Sequence, residues 1–265
     1  MNAILKYTGA KWSIADWIIG HFPKHHSYLE PFFGSGAVFF RKDPSNIETV
    51  NDIDGEVVNL FECIKSDPER IARSVFFIPY SRQIFELTYN KAVPEDPFDR
   101  AMKFLTKCNM GFGYRTNERR VGWKRDVSAR ERAYAAEAWK NLPDVIIEAA
   151  ERLRGVQIEC TPAVKLIERF NSPDVLIYCD PPYLLSTRRG KQYRCEMTED
   201  DHLELLEVLK RHKGPALISG YQNDMYDNEL AGWAKESISS TDQLSQMKRE
   251  VLWMNFEPID QMKMF

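Results

Sequence analysis

Strand signals recur along the chain, at Tyr28 to Phe32, Ile47 to Asn51, Val156 to Cys160, Asp174 to Cys179 and Pro215 to Ser219. Amphipathic helical patterns fill several of the gaps between them. Alternation of this kind favours a mainly parallel sheet covered by helices, an α/β fold. Ser13 stands where a helix cap belongs, with Ile14, Trp17, Ile18 and Phe22 at helical spacing before the stop at Pro23. A helix is expected from Ala37 to Arg41, after the turn Gly34-Ser35-Gly36. Another should follow Asp52 and Asp54, carrying Val57, Val58, Leu60, Phe61 and Ile64. Thr198 and Asp201 suggest a capping box, with Asp in place of Glu, opening a helix that runs to His212. The last strands, Trp233 to Ile238 and Glu250 to Phe256, are expected to pair as an antiparallel hairpin.

The strand rhythm stops between Ser66 and Arg154, where helical patterns such as Ser81 to Lys91 and Asp99 to Lys107 take over. A chain of 265 residues suits one α/β domain with an insertion. The expected division is residues 1–65 and 151–265 for the sheet domain and 66–150 for a mainly helical inserted module. Charge marks the same region. From Arg100 to Arg132 there are ten basic residues against three acidic ones, +7 where the whole chain carries −3. A polyanion would be drawn to that segment and repelled by most of the remaining surface, although a solvated charged face is the simpler meaning of such a run. Five scattered cysteines without a Cys-x-x-Cys pair suggest reduced, mostly structural thiols and no metal site. No apolar run is long enough to span a membrane and no secretory signal opens the chain, so a cytoplasmic protein is expected.

Two motifs carry chemistry. Asp180-Pro181-Pro182-Tyr183 follows directly on the apolar strand Val175 to Cys179, at the carboxyl end where open α/β sheets bind ligands. The prolines remove two N–H donors and leave carbonyls to accept, Asp180 adds a carboxylate acceptor, and Tyr183 offers a flat stacking face. Such a group suits an amino function on an aromatic ring. The other motif is Glu30-Pro31-Phe32-Phe33-Gly34-Ser35-Gly36. Its glycines allow close backbone approach, but Phe39 stands where a dinucleotide fingerprint wants a third glycine, which disfavours a pyrophosphate cradle. Asp52, closing the next strand, can accept hydrogen bonds from a ribose. Together they imply a nucleoside-like cofactor.

These residues resemble the adenine-specific DNA methyltransferases of the Dam-like, D12 group, whose opening pattern is matched by Lys6-Tyr7-Thr8-Gly9-Ala10-Lys11. The glycine motif, Asp52, the Asp-Pro-Pro-Tyr tetrapeptide and the closing strand Arg249 to Phe256 follow in the family's order. The resemblance implies a Rossmann-like sheet, S-adenosylmethionine as cofactor, and methyl transfer to the N6 amino group of adenine in a short sequence of double-stranded DNA, as in restriction-modification. By the same resemblance Tyr7, Lys11, Glu30, Phe32, Gly34, Gly36, Asp52 and Asp180 hold the cofactor, and Asp180, Pro181, Pro182 and Tyr183 form the catalytic group. Residues 66–150 become the target-recognition module, with Asn109, Arg115, Asn117, Arg119, Arg120, Lys124 and Arg125 as candidate DNA contacts. The stretch Asn109 to Asn117 departs from the family's hairpin spacing. Arg115 is the candidate for a bidentate guanine contact, the other cations suit phosphates, and Phe112 or Tyr114 could fill the stack left by a base.

Other readings stay open at this point: an amino-methyltransferase acting on cytosine or RNA, or a DNA-binding regulator that keeps the fold without catalysis. The chain is expected to be a monomer. Its end, Gln261-Met262-Lys263-Met264-Phe265, looks like the peptide by which bacterial replication proteins dock on the sliding clamp, an ordinary tail being the simpler alternative.

Overall fold

A computed structural model describes residues 1–113, 116–117, 119–127, 134–188, 190–241 and 247–258. Strands β1 (Ser27–Glu30), β2 (Ile47–Asn51), β3 (Gln157–Glu159), β4 (Val175–Cys179), β5 (Ala216–Tyr221), β6 (Ala234–Thr241) and β7 (Met247–Met254) form one sheet in the order β3-β2-β1-β4-β5-β7-β6. The first five run parallel, and β7 lies antiparallel between β5 and β6. This is the Rossmann-like sheet with a closing antiparallel hairpin.

Alternation along each strand sends side chains to opposite faces. On β4, Leu176 and Tyr178 join the core under helices α1 (Ala15–Gly20), α2 (Gly55–Ser66), α3 (Pro68–Phe77), α4 (Arg82–Leu87), α5 (Pro97–Met110), α6 (Tyr134–Lys140) and α7 (Leu142–Leu153). Val175, Ile177 and Cys179 enter a second core, packed by α8 (Ala163–Arg169), α9 (Glu199–Lys210) and α10 (Asp224–Glu229). Both faces are therefore covered, which explains why all five residues of β4 are buried. Helices α3 to α7 share one continuous apolar core with Leu60, Phe61 and Ile64 of α2.

Local chemistry sets the element ends. Asp54 caps α2, accepting from the Glu56 N–H at 3.1 Å. Thr198 and Asp201 form the expected capping box of α9, each side chain accepting from the other's backbone N–H. Two expectations fail. Ser13 does not cap α1; the capping position is Ile14, without a side-chain bond, because Ile14 N–H already closes a turn on the Lys11 carbonyl at 3.0 Å. Residues Ala37 to Arg41 form turns, not a helix. Consecutive Val38, Phe39 and Phe40 are all buried, and the two phenylalanine rings pack on Phe33 with Phe61 beside them. A surface helix would turn one of those side chains to solvent. The helix expected over Ser81 to Lys91 is shorter, since three-residue turns at Thr88 and Tyr89 tighten and end it.

The five cysteines are free. Among the described residues no helix is long and apolar enough to cross a membrane, and no cluster of side chains is suited to hold a metal.

Candidate active site

Strand order reverses at β1, which pairs with β2 on one side and β4 on the other. The carboxyl ends of the strands open there into a crevice, the usual ligand position of such sheets. A cavity lies there. Its walls come from four of the motifs singled out in the sequence, through Tyr7 to Lys11, Glu30 with Phe32 to Ser35, Asp52, and Asp180 with Pro182; Gly36, Pro181 and Tyr183 stand outside its lining.

One half of the cavity is built around Asp52. Gly34 N–H donates to Oδ2 at 2.8 Å and Asp54 N–H to Oδ1 at 2.9 Å. Burial pushes the Asp52 carboxyl up to about 7, against the pull of those two donors. Gly34 (φ +49°) and Gly36 (φ +64°) both sit in the left-handed region. A Cβ at 36 would lie 2.6 Å from the Phe33 ring and 2.7 Å from Phe40, while one at 34 would press on the buried Tyr7 ring at 3.3 Å. The glycines thus let the turn fold flat between aromatic rings and aim Gly34 N–H at Asp52.

The other half is polar and tightly wired. Asp180 Oδ1 accepts from Lys11 Nζ at 2.9 Å and from Ser219 Oγ at 2.9 Å. Lys11 is 5% exposed and also donates to the Gly9 carbonyl at 2.6 Å. Burial alone would lower its pKa, but the Asp180 and Glu250 carboxylates raise it on balance. Tyr183 donates its hydroxyl to Glu250 Oε2 at 2.7 Å, stands edge-on to Tyr221, and carries Lys11 Nζ 4.7 Å from its ring centre. Pro181 is buried beneath the rim.

Glu30 lies 2% exposed under this group, accepting from Tyr28 at 2.6 Å. Burial pushes its carboxyl up to about 8, with Tyr28 pulling down and Asp180 pushing up. Unfolded, the group titrates near 4.5, so between those values the folded chain holds a proton that the unfolded chain has released. Stability then falls as pH rises through that window. Asp52 acts in the same sense up to about 7. His202, held neutral by burial down to about 4, acts oppositely below 6.5. The urea midpoint should therefore fall between about pH 6.5 and ~8.5, and Glu30→Gln, with no proton to release there, should flatten that fall. An unchanged slope in the variant would remove Glu30 from the account.

The candidate DNA contacts divide. Asn109 donates its amide to the Ile4 and Leu105 carbonyls, both at 3.0 Å, and so ties the N-terminal segment to α5. Asn117 donates to the Lys191 carbonyl at 2.6 Å and accepts from Arg119 N–H. Arg120 pairs with Glu86 and covers Tyr89. Lys124 is half-buried, and its carbonyl takes the Tyr80 hydroxyl at 2.6 Å. Arg119 and Arg125 are exposed, and Phe112 is 68% exposed beside Gly113 (φ +59°). Gly111 bridges Trp123 in antiparallel fashion. Arg115 and Tyr114, like Gln261–Phe265, lie outside the described residues.

Several site residues had no flag in the sequence reading. Tyr193, whose hydroxyl donates to the Thr8 carbonyl at 3.3 Å, lines the cavity from the loop after the tetrapeptide, and its neighbour Arg194 pairs with Asp54 at 2.7 Å. Ser219 had only its place at the end of a strand to mark it, and Glu250 only its charge inside an apolar strand.

A Rossmann-like sheet whose switch-point cavity runs from a buried acid to an acid-and-proline rim defines a methyltransferase acting on an amino group. The comparisons agree: the family model described as D12 class N6 adenine-specific DNA methyltransferase matches residues 7–247, and the chain belongs to that family. Its activity is accordingly methylation of adenine N6 in DNA. A DNA adenine methylase of Salmonella typhimurium is 29% identical over 232 residues, covering 83% of this chain and 81% of that protein. The DNA adenine methylase of Escherichia coli K12 is 28% identical over 234 residues, with the same coverage. That of Vibrio cholerae O395 is 26% identical over 220 residues, covering 79% and 76%.

Proposed function

We propose that the methyl donor is S-adenosylmethionine, seated in the switch-point cavity, and that the target adenine is rotated out of double-stranded DNA at a short specific sequence. The observation that carries this is Asp52, an acid oriented by Gly34 and Asp54 N–H groups in a cavity that also reaches Asp180. A carboxylate so held accepts from vicinal ribose hydroxyls, and the lining that continues from it through Gly34 and Phe32 to Asp180 suits a nucleoside with an amino-acid arm. Tyr7, Glu30, Phe32 and Gly34 would line it, with Gly36 shaping the turn behind them. Bound there, the donor supplies an electrophilic methyl on sulfonium sulfur.

The chain's own groups act on the base. Extrusion from the duplex costs roughly a few kcal/mol, which stacking on Tyr183 offsets. Asp180 Oδ1 is already occupied by Lys11 and Ser219, so Oδ2 is the oxygen with capacity for an amino hydrogen. The Pro181 carbonyl takes the other, and the nitrogen lone pair is left pointing outward for in-line attack. The surplus proton on the methylated nitrogen departs to Asp180 or water.

Residues 66–150 serve as the target-recognition module in this reading. Arg119 and Arg125 suit phosphates, and Phe112 at the exposed loop suits the gap left by the base. Monomeric state, cytoplasmic location and docking of Gln261–Phe265 on a sliding clamp belong to the same proposal, the last on sequence grounds alone. Tritium from labelled S-adenosylmethionine should appear in duplex DNA as N6-methyladenine, and single-molecule sequencing should place it within one short motif. Label in cytosine or RNA, or DNA binding without transfer, would overturn the reading.

A further inference from the structure

Glu250 is 7% exposed on β7, opposite Tyr221 of β5 and Ile238 of β6. A buried carboxylate is costly to keep, and packing at that position would be served as well by a neutral side chain. Its Oε2 nevertheless accepts the hydroxyl of Tyr183 at 2.7 Å. We propose that Glu250 is a positioning residue for methyl transfer, acting through Tyr183; the proposal rests on the tetrapeptide being the site of transfer.

Two physical effects follow from that one bond. First, the ring is fixed at three points: its hydroxyl by Glu250, its edge by Tyr221 at 4.8 Å between ring centres, and one face by the Lys11 ammonium at 4.7 Å. A stacking platform held so rigidly presents the base in one orientation. Second, a carboxylate at the phenol oxygen feeds electron density into the ring and makes its faces more negative. Positive charge moves onto the adenine as its amino nitrogen takes the methyl. A more negative ring therefore attracts the transition state more than the neutral base, which is the condition for raising rate and not merely affinity.

The test separates charge from packing. Glu250→Gln keeps an acceptor for Tyr183 and removes the charge; Tyr183→Phe removes the bond from the other side. In the full chain with duplex DNA and labelled donor, Glu250→Gln should slow single-turnover transfer about tenfold while leaving the dissociation constants for DNA and donor within about twofold. With Phe at 183, adding Glu250→Gln should cost no more, since the path of action is already cut. A Glu250→Gln rate equal to that of the parent, a loss confined to binding, or losses that multiply in the double variant would each overturn the assignment. Absence of transfer by the parent chain would instead sink the proposed function, and this inference with it.

Discussion

With Asn in place of Asp180, single-turnover methyl transfer should fall by at least about a hundredfold to a thousandfold, the range lost when one well-placed charge-stabilising group is removed from an active site. The amide keeps the size of the side chain and can still accept from Ser219 through its oxygen. What it loses is the charge that pairs with Lys11 at 2.9 Å and the second acceptor oxygen that the amino group needs. Donor affinity, measured by equilibrium dialysis, should change far less, because Asp52 and the Gly34 turn lie at the other end of the cavity. Asp180→Ala should be as inactive but less stable, since it leaves the Lys11 ammonium buried with Glu250 as its remaining nearby acid. Transfer by Asp180→Asn within about threefold of the parent would remove Asp180 from the chemistry.

Lys11→Met should be damaging in two separable ways. Two carboxylates, Asp180 and Glu250, face one ammonium; without it they repel each other in a poorly solvated pocket, and one takes up a proton. Removing one partner of a buried pair costs about 3 kcal/mol of stability, readable as a lower urea midpoint. Part of that loss should return in Lys11→Met with Glu250→Gln, because the surplus charge has gone. Activity should not return with it, since Asp180 Oδ1 then lacks the ammonium that orients it and its free oxygen is no longer aimed. A double variant that recovers both, or a single variant as stable as the parent, would show that Lys11 serves only as a cavity wall.

What the sequence revealed depended on how local each cause was. Strand β2 coincides with the strand expected over Ile47 to Asn51 because an acid closes it and a capping acid opens the next helix within three residues. The capping box at Thr198 and Asp201 involves neighbours only. By contrast α8 and α10, of seven and six residues, are too short to display a helical period and went unread. Ala37 to Arg41 looked helical because propensity is local, whereas the packing of Phe39 and Phe40 around Phe33 and Phe61 is not. At the site, the family resemblance placed Lys11 beside the cofactor. The structure adds its bond to Asp180, a pairing between motifs far apart in the chain that no spacing could announce. Glu250 was hidden for the opposite reason: an acid following Lys248 and Arg249 looks like the solvent-facing start of a strand, and only the position of β7 between β5 and β6 buries it.

Because α3 to α7 are continuous with the core beneath α2, sequence preference in this enzyme cannot evolve, or be engineered, by exchanging residues 66–150 as a cassette. A graft cut at those limits would remove Ala101, Phe104, Leu105, Val145, Ile146 and Ala149 from under Leu60 and Phe61, hollowing out the scaffold that holds Asp54 and hence the wall of the donor cavity. If the exposed loop around Phe112 and Arg125 reads the DNA, as proposed, changes of target sequence are freest to accumulate there, while the helices behind it stay tied to the core.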